Sequence, residues 1–244
     1  MDLEKAAKYI VNAEYVIAFT GAGISAESGI PTFRGRGGLW EKYDPNEYAT
    51  IKALKKHPEK VWQLYVEIFN LIKKSQPNPA HIALKQLEDL GFLKSIITQN
   101  IDDLHERAGS KNVIKIHGNY DVMRCDNCGY KEKIGSIPMD FFPRCPKCGE
   151  YMRPDIVLFG EKLPEYELAL AFDEASKADL VIVVGTSGVV MPAAIIPYIV
   201  RDKGGIIIEV NYEPSAVTNI ANISLIGRAG EILPKLVETV KRLI

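Results

Sequence analysis

Outside one short segment this chain has no cysteine: Cys125, Cys128, Cys145 and Cys148 are the only four in 244 residues. Thiols this scarce and this clustered argue against disulfides spread through the fold. Net charge is nearly absent as well. With 30 basic and 31 acidic side chains, no overall field draws the chain to nucleic acid or an anionic membrane. Nothing reads as a secretory leader. Residues 1–12 alternate Lys and Glu with Leu, Ala and Ile, the pattern of a surface helix, so a reducing, cytoplasmic setting is expected. An unbroken membrane-length run is missing too. Residues 180–200 carry no charge and have the length to span a bilayer, but Gly185-Thr186-Ser187-Gly188 and Pro192 cut them. A strand, a glycine turn and a helix with Pro192 near its start explain that run without a membrane. Repeats and low-complexity tracts are also absent. At this length, with 47% hydrophobic residues, the chain suits one large domain, or one domain with a small insertion.

What is there centres on residues 19–35. A short apolar run, residues 15–19, leads into Gly21-Ala22-Gly23 with Ala26 three residues on, the G-x-G-x-x-A form of the dinucleotide fingerprint. The glycines let the backbone turn and approach a ligand, and a helix starting there would aim its free N–H groups at a pyrophosphate. No acidic residue ends a second strand about 20 residues later, where the ribose of a dehydrogenase cofactor is held. Pro31-Thr32-Phe33-Arg34-Gly35 follows instead, a polar and aromatic loop suited to covering something.

Periodicity places helices over residues 2–13, 58–74 and 231–244, and one opened by Asn78-Pro79 and closed by Gly91. The apolar face of 58–74, with Val61, Trp62, Tyr65, Phe69 and Ile72, reads as core packing. Strands are expected over 15–19, 94–98, 113–116, 179–184, 205–210 and 222–226, and loops over 37–40 and 43–46. Strands alternating with helices make an α/β fold with a mostly parallel, doubly covered sheet. Polar clusters sit where those strands end: Gln99-Asn100-Ile101-Asp102, His117-Gly118, Gly185-Thr186-Ser187 and Asn211-Tyr212-Glu213. Ligands bind at such carboxyl ends.

Two Cys-x2-Cys pairs, each followed by glycine (Gly129, Gly149), fit a four-thiolate zinc ribbon; a closed coordination sphere makes the metal structural. A free-standing ribbon could bind nucleic acid. Here Arg124, Lys131, Lys133, Arg144 and Lys147 are offset by Asp126, Glu132, Asp140 and Glu150, which disfavours that. Among four histidines, His117 is the candidate general base, because imidazole titrates near neutrality and the missing side chain of Gly118 leaves room for a ligand. His57, His81 and His105 read as structural or surface residues.

These motifs together resemble the sirtuins, NAD-dependent protein lysine deacylases. The resemblance rests on Gly21-Ala22-Gly23-Ile24-Ser25, Gly29-Ile30-Pro31-Thr32-Phe33-Arg34, Thr98-Gln99-Asn100-Ile101-Asp102, Ile116-His117-Gly118, the cysteine pairs, Leu158-Phe159-Gly160-Glu161 and Gly185-Thr186-Ser187. They fall in family order and cover nearly the whole chain. The resemblance implies a single catalytic domain over residues 1–244. A Rossmann-like, doubly wound part would take 1–35, 79–118 and 154–244. A small part would take 36–78 (helical) and 119–153 (zinc ribbon), with NAD and an acylated lysine in the cleft between. NAD would be consumed as co-substrate, one structural zinc held, and nicotinamide and O-acyl-ADP-ribose released. His117 would deprotonate a ribose hydroxyl. Asn100 would position ribose or water, Ile101 and Asp102 would hold the nicotinamide carboxamide, and Gln99 belongs to the same turn. Phe33 would shield C1′, with Arg34, Thr32 and Ser25 organising the loop. Gly185, Thr186 and Ser187 would meet the phosphates and the adenine-side ribose, and Asn211, Tyr212, Glu213 and Ala229 the adenosine end. Val157, Leu158, Phe159 and Gly160 would pair with an extended substrate segment.

The loop over 25–32 resembles the sirtuin branch that removes acidic acyl groups by means of a Tyr-x-x-Arg pair. Tyr65 matches the tyrosine, but Ile68 stands where the arginine should be. Without that fork a carboxylate has no partner, so neutral acyl groups, acetyl or longer apolar chains, are expected over succinyl. Two other readings compete: a protein mono-ADP-ribosyltransferase sharing the first chemical step, and a silent NAD- or nucleic-acid-binding module.

Overall fold

The computed structural model describes residues 2–35, 37–136 and 142–244; Arg36, where the helical insertion is expected to begin, and Asp140 of the ribbon lie outside them. In chain order the elements are α1 (Asp2–Asn12), β1 (Val16–Thr20), α2 (Leu39–Lys42), α3 (Pro45–Tyr48), α4 (Ile51–Lys56), α5 (Pro58–Lys74), α6 (Pro79–Asp89) and β2 (Leu93–Thr98). Then come α7 (Leu104–Arg107), β3 (Val113–Lys115), β4 (Gly118–Cys125), β5 (Lys131–Lys133), β6 (Met152–Ile156), α8 (Glu165–Lys177) and β7 (Leu180–Val184). The chain closes with α9 (Ile196–Asp202), β8 (Ile206–Asn211), β9 (Ile223–Ile226) and α10 (Ala229–Lys241).

Six parallel strands line up as β3-β2-β1-β7-β8-β9. The two central strands are buried along their whole length, as a doubly covered parallel sheet requires. Side chains alternate between its faces. Val16, Ala18, Leu180 and Ile182 pack with α1, α6 and α10, while Ile17, Phe19, Val181 and Val183 pack with α8 and α9. The strand order reverses between β1 and β7, and the crevice outside their carboxyl ends is where such a sheet binds ligands.

The rest forms a second body. α5 packs on a three-stranded antiparallel sheet, β5-β4-β6, through one apolar cluster containing Trp62, Phe69, Met123 and Met152. Tyr65 donates its hydroxyl hydrogen to the Tyr120 carbonyl at 2.9 Å, and the Phe69 and Tyr120 rings lie 5.4 Å apart.

Three local expectations change. The glycine loop enters a 3-10 turn over Ala22–Ser28, not an α-helix. Residues 39–48 are two short helices, not loop; the Asp44 carboxylate caps the second by accepting from the Asn46 N–H at 2.9 Å, with Pro45 in its first turn. Pro192 precedes a 3-10 turn over Ala193–Ile195, and Pro197 occupies the first turn of α9. Helix α8 has no counterpart in the sequence reading, because it buries only Ala171, Glu174 and Ala175 and so shows little apolar periodicity. No helix among the described residues is long and apolar enough to cross a membrane.

Candidate active site

Gly21 and Gly23 are used for contact between two loops. The Gly23 N–H donates to the Gly185 carbonyl at 2.8 Å and the Gly21 N–H to the Val184 carbonyl at 3.0 Å. A Cβ on Gly23 would lie 2.7 Å from the Gly185 Cα. The glycines therefore let the β1 and β7 ends close on each other and form the floor of the crevice. The strand ends are then stitched sideways. Gln99 Nε2 donates to Thr186 Oγ1 at 2.8 Å, and Asn211 Nδ2 to the Thr186 carbonyl at 2.9 Å.

Above this floor lies a cavity of about 1010 Å³. Gly21, Ala22, Gly23, Thr32, Phe33 and Arg34 line it from the glycine loop, and Gln99, Asn100, Ile101 and His117 from the next two strand ends. Gly185, Thr186, Ser187, Asn211, Tyr212, Glu213 and Ala229 line its far end. Val157, Leu158, Phe159, Gly160 and Tyr65 form the wall toward the second body. Of the residues expected to meet NAD or the substrate, only Ser25 and Asp102 lie outside. They line a smaller cavity of about 30 Å³, which shares Ala22, Phe33, Ile68, Asn100 and Ile101 as walls with the large one.

Those two side chains belong to a buried polar knot. Ser25 Oγ donates to Asp102 Oδ2 at 2.9 Å and accepts from Asn100 Nδ2 at 3.2 Å. Asn100 Nδ2 also donates to the Gly21 carbonyl at 3.1 Å. Both amide protons of Asn100 are thus engaged, and its carbonyl oxygen is the group suited to accept from a ribose hydroxyl or water. Burial raises the Asp102 carboxyl above the usual range, against the Leu104 N–H and the Ser25 hydroxyl that favour its charged form. His81 lies against this knot. Its Nδ1 accepts from the Asn78 N–H at 3.3 Å, so the Nε2 proton points to Ser25 Oγ at 3.5 Å. Burial pushes its pKa down to about 4. The sequence reads His81 as a structural or surface residue; the fold buries it and makes it a support for Ser25. His105 is buried beside it, 3.0 Å from Thr20 Oγ1, and His57 is exposed.

His117 follows β3. Its Nδ1 lies 2.8 Å from the Gln99 carbonyl oxygen. A carbonyl only accepts, so Nδ1 carries the proton and Nε2 keeps the lone pair. Burial lowers the pKa below the ordinary histidine value, only partly opposed by the Gln99 contact. The ring is neutral at pH 7 and fixed in the tautomer a general base needs. Gly118 is not there to make room for a ligand. It has φ of +88°, and an added Cβ would fall 1.9 Å from the Asp155 carbonyl oxygen. Gly118→Ala is expected to destabilise the protein by more than about 2 kcal/mol, seen as a lowered midpoint in thermal unfolding.

Part of the apolar wall goes beyond the sequence pattern. Trp40, Tyr48, Val61 and Leu64 line the large cavity together with Tyr65 and Ile68, whereas the sequence reads the α5 face as core packing and picks out only those last two at the acyl group. Phe33 and Trp40 have ring centroids 5.1 Å apart, and Trp40 and Phe159 6.1 Å. They make an aromatic chain from the glycine loop to the wall at residues 157–160. Residues 157–159 have their amides already paired. The Val157 N–H donates to the His117 carbonyl at 3.0 Å, Phe159 to Ala49 at 2.8 Å, and Leu158 to Glu161 Oε2 at 2.8 Å.

The four cysteines have no disulfide between them. Their Sγ atoms all lie within 4.8 Å of one another, and Cys125–Cys148 and Cys128–Cys145 are each 3.5 Å apart. A zinc tetrahedron with Zn–S near 2.3 Å has edges of about 3.8 Å. Four thiols at that spacing fit a structural zinc.

The comparisons agree with this geometry. A model described as the Sir2 family matches residues 21–192. An NAD-dependent protein deacylase of Pyrococcus furiosus is 56% identical, with 99% of each chain covered. NAD-dependent protein deacylase 1 of Archaeoglobus fulgidus is 50% identical over 98% of each. Among solved structures, a Sir2 homologue complexed with ADP-ribose superposes with a TM-score of 0.96 at 50% identity, over 100% of this chain and 98% of the other. A Sir2 protein described with a deacetylated p53 peptide and 3′-O-acetyl-ADP-ribose gives 0.91 at 36%, over 98% of each.

Proposed function

The chain belongs to the Sir2 family, and from that premise we propose how its residues divide the work. It is an NAD-dependent protein deacylase: the acyl group passes from lysine to ADP-ribose, and nicotinamide is released. In our reading the acyl oxygen attacks C1′ of the nicotinamide ribose as nicotinamide leaves, and Nε2 of His117 then takes the proton of a ribose hydroxyl. Asn100 presents its carbonyl oxygen to ribose or water. Ile101 and Asp102, with Ser25 behind, hold the nicotinamide carboxamide, and Phe33 covers C1′. The phosphates lie over Gly185, Thr186 and Ser187, and adenosine against residues 211–213 and Ala229. The cleft runs between a Rossmann-like part, residues 1–35, 79–118 and 154–244, and a small part, residues 36–78 and 119–153. The substrate is an acylated lysine in an extended protein segment lying along residues 157–160. Four free, metal-spaced thiols support a reducing, cytoplasmic setting.

One observation carries this reading: a neutral imidazole, fixed by the Gln99 carbonyl, in the crevice between the glycine loop and residues 157–160. Mass spectrometry of one acetyl-lysine peptide with and without NAD tests it. Acetyl loss should require NAD and yield nicotinamide and O-acetyl-ADP-ribose. Label from NAD left on protein would favour ADP-ribosyl transfer instead.

We infer further that the acyl group is neutral. Among the described residues, the cationic side chains on the large cavity are Arg34 and Arg228, on the loops that face NAD. Around Tyr65 the wall is Trp40, Val61, Leu64, Ile68 and Leu158, and the Tyr65 hydroxyl donates to Tyr120. Acetyl-lysine should exceed succinyl-lysine in kcat/KM, and Ile68→Arg should move that ratio about tenfold toward succinyl. A wild type that prefers succinyl would refute the assignment.

A further inference from the structure

Glu161 closes the Leu158-Phe159-Gly160-Glu161 motif, and no role assigned so far uses it. Its Oε2 accepts from the Leu158 N–H at 2.8 Å. Its Oε1 accepts from Arg124 Nη2 at 3.1 Å and from Arg153 Nη2. The same arginines grip Asp126. Arg153 Nε donates to Asp126 Oδ2 at 2.6 Å, and Arg124 Nε to Oδ1 at 2.9 Å. Arg124 also reaches Asp155 Oδ1 at 3.3 Å, and Lys131 reaches Asp155 Oδ2 at 2.9 Å. Asp126 sits between Cys125 and Cys128, inside the first metal-binding turn. The Arg153 and Glu161 side chains are only 6% and 14% exposed, so the pairing is poorly screened and losing one partner strands a buried charge.

The three amides of residues 157–159 are held from three directions. The His117 strand end takes Val157, the helical insertion takes Phe159, and Glu161 takes Leu158. The middle hold is the one that rests on a charged side chain, and that charge is balanced by the arginines of the ribbon.

We propose that Glu161 is a positioning residue for the acyl-lysine segment, and that Arg124 and Arg153 tie its setting to the metal-binding turn through Asp126. This rests on residues 157–160 being the peptide-binding edge. Removing the Glu161 charge leaves one acceptor oxygen for three donors, the Leu158 N–H and the two arginines, which weakens the hold on the Leu158 amide and lets the segment drift relative to His117. The NAD side, on the β1 and β7 loops, keeps its own supports. Glu161→Gln keeps the size and loses the charge; Asp126→Asn perturbs the arginines from the far end without touching the segment.

Zinc-loaded wild type and both variants are compared by hydrogen exchange over residues 157–160 and by separate KM values for acetyl peptide and NAD. In Glu161→Gln, Leu158 exchange and peptide KM should each rise about tenfold, while KM for NAD stays within about twofold and zinc content holds at one per chain. Asp126→Asn should move the same two quantities in the same direction by less, with zinc retained. Unchanged exchange and peptide KM in Glu161→Gln would overturn the proposal, as would equal rises in both KM values. A wild type without NAD-dependent turnover would sink the functional reading instead, and Leu158 exchange would then decide the role of Glu161 by itself.

Discussion

With His117 replaced by alanine, kcat/KM for deacylation is expected to fall by about a thousandfold, within the usual range for a lost general base. NAD affinity should change little. The Gln99 carbonyl, 2.8 Å from Nδ1, fixes the tautomer, and burial lowers the pKa, so the wild-type base is competent across neutral pH. The pH profile follows with a definite sign. The base works only when neutral and its folded pKa lies below the ordinary 6.5. Activity should therefore hold as pH drops to about 6.5 and decline only at lower pH. His117→Ala should lose that acid limb along with the rate. In the proposed order of steps the proton is removed after nicotinamide has left, so exchange of labelled nicotinamide into NAD should outlast product formation in the variant. A variant near the wild-type rate would remove His117 from the mechanism.

Much of this site is legible in the sequence because its residues sit in short runs at strand ends. Thr98-Gln99-Asn100, Ile116-His117 and Val184-Gly185-Thr186 each follow an apolar run, and parallel-sheet topology alone gathers such ends into one crevice. The roles of the glycines are less legible. Gly21 and Gly23 signal close approach, but not that the partner is the Gly185 loop. Gly118 suggests an opening, yet its φ and the Asp155 carbonyl explain it without a ligand. The rest of the wall around Tyr65 and Ile68 is hidden for a different reason. A helix face that packs on a ribbon and also lines a cavity has the same apolar period as one that only packs. His81 and α8 escape because their cues are weak: a histidine in a helix's first turn, and a helix whose buried face is mostly alanine.

Removing zinc with a strong chelator, or replacing Cys145 with serine, is expected to unfold the ribbon and abolish deacylation while most of the six-stranded sheet persists. The ribbon cannot hold itself. Every residue of strand β5 is exposed, and Cys125 and Cys145 are themselves part of the apolar cluster. A structural zinc contributes about 10–16 kcal/mol in apparent terms in small ribbons, far more than so small a core supplies. Its loss propagates along named contacts. Met123 and Met152 share a cluster with Trp62 and Phe69 of α5, and the Tyr65 hydroxyl is held by the Tyr120 carbonyl. Strand β4 begins at Gly118, the residue after His117. A melted ribbon therefore loosens the acyl-side wall and the chain just beyond the base together. The large sheet has its own two apolar layers, with α1, α6 and α10 on one face and α8 and α9 on the other. Those layers owe nothing to the metal. Thermal unfolding followed by circular dichroism should separate into a ribbon transition that depends on zinc and a later one that does not. Zinc-free protein with full activity and a single, unshifted transition would overturn this account, and it would make the cysteine spacing an incidental feature of the fold.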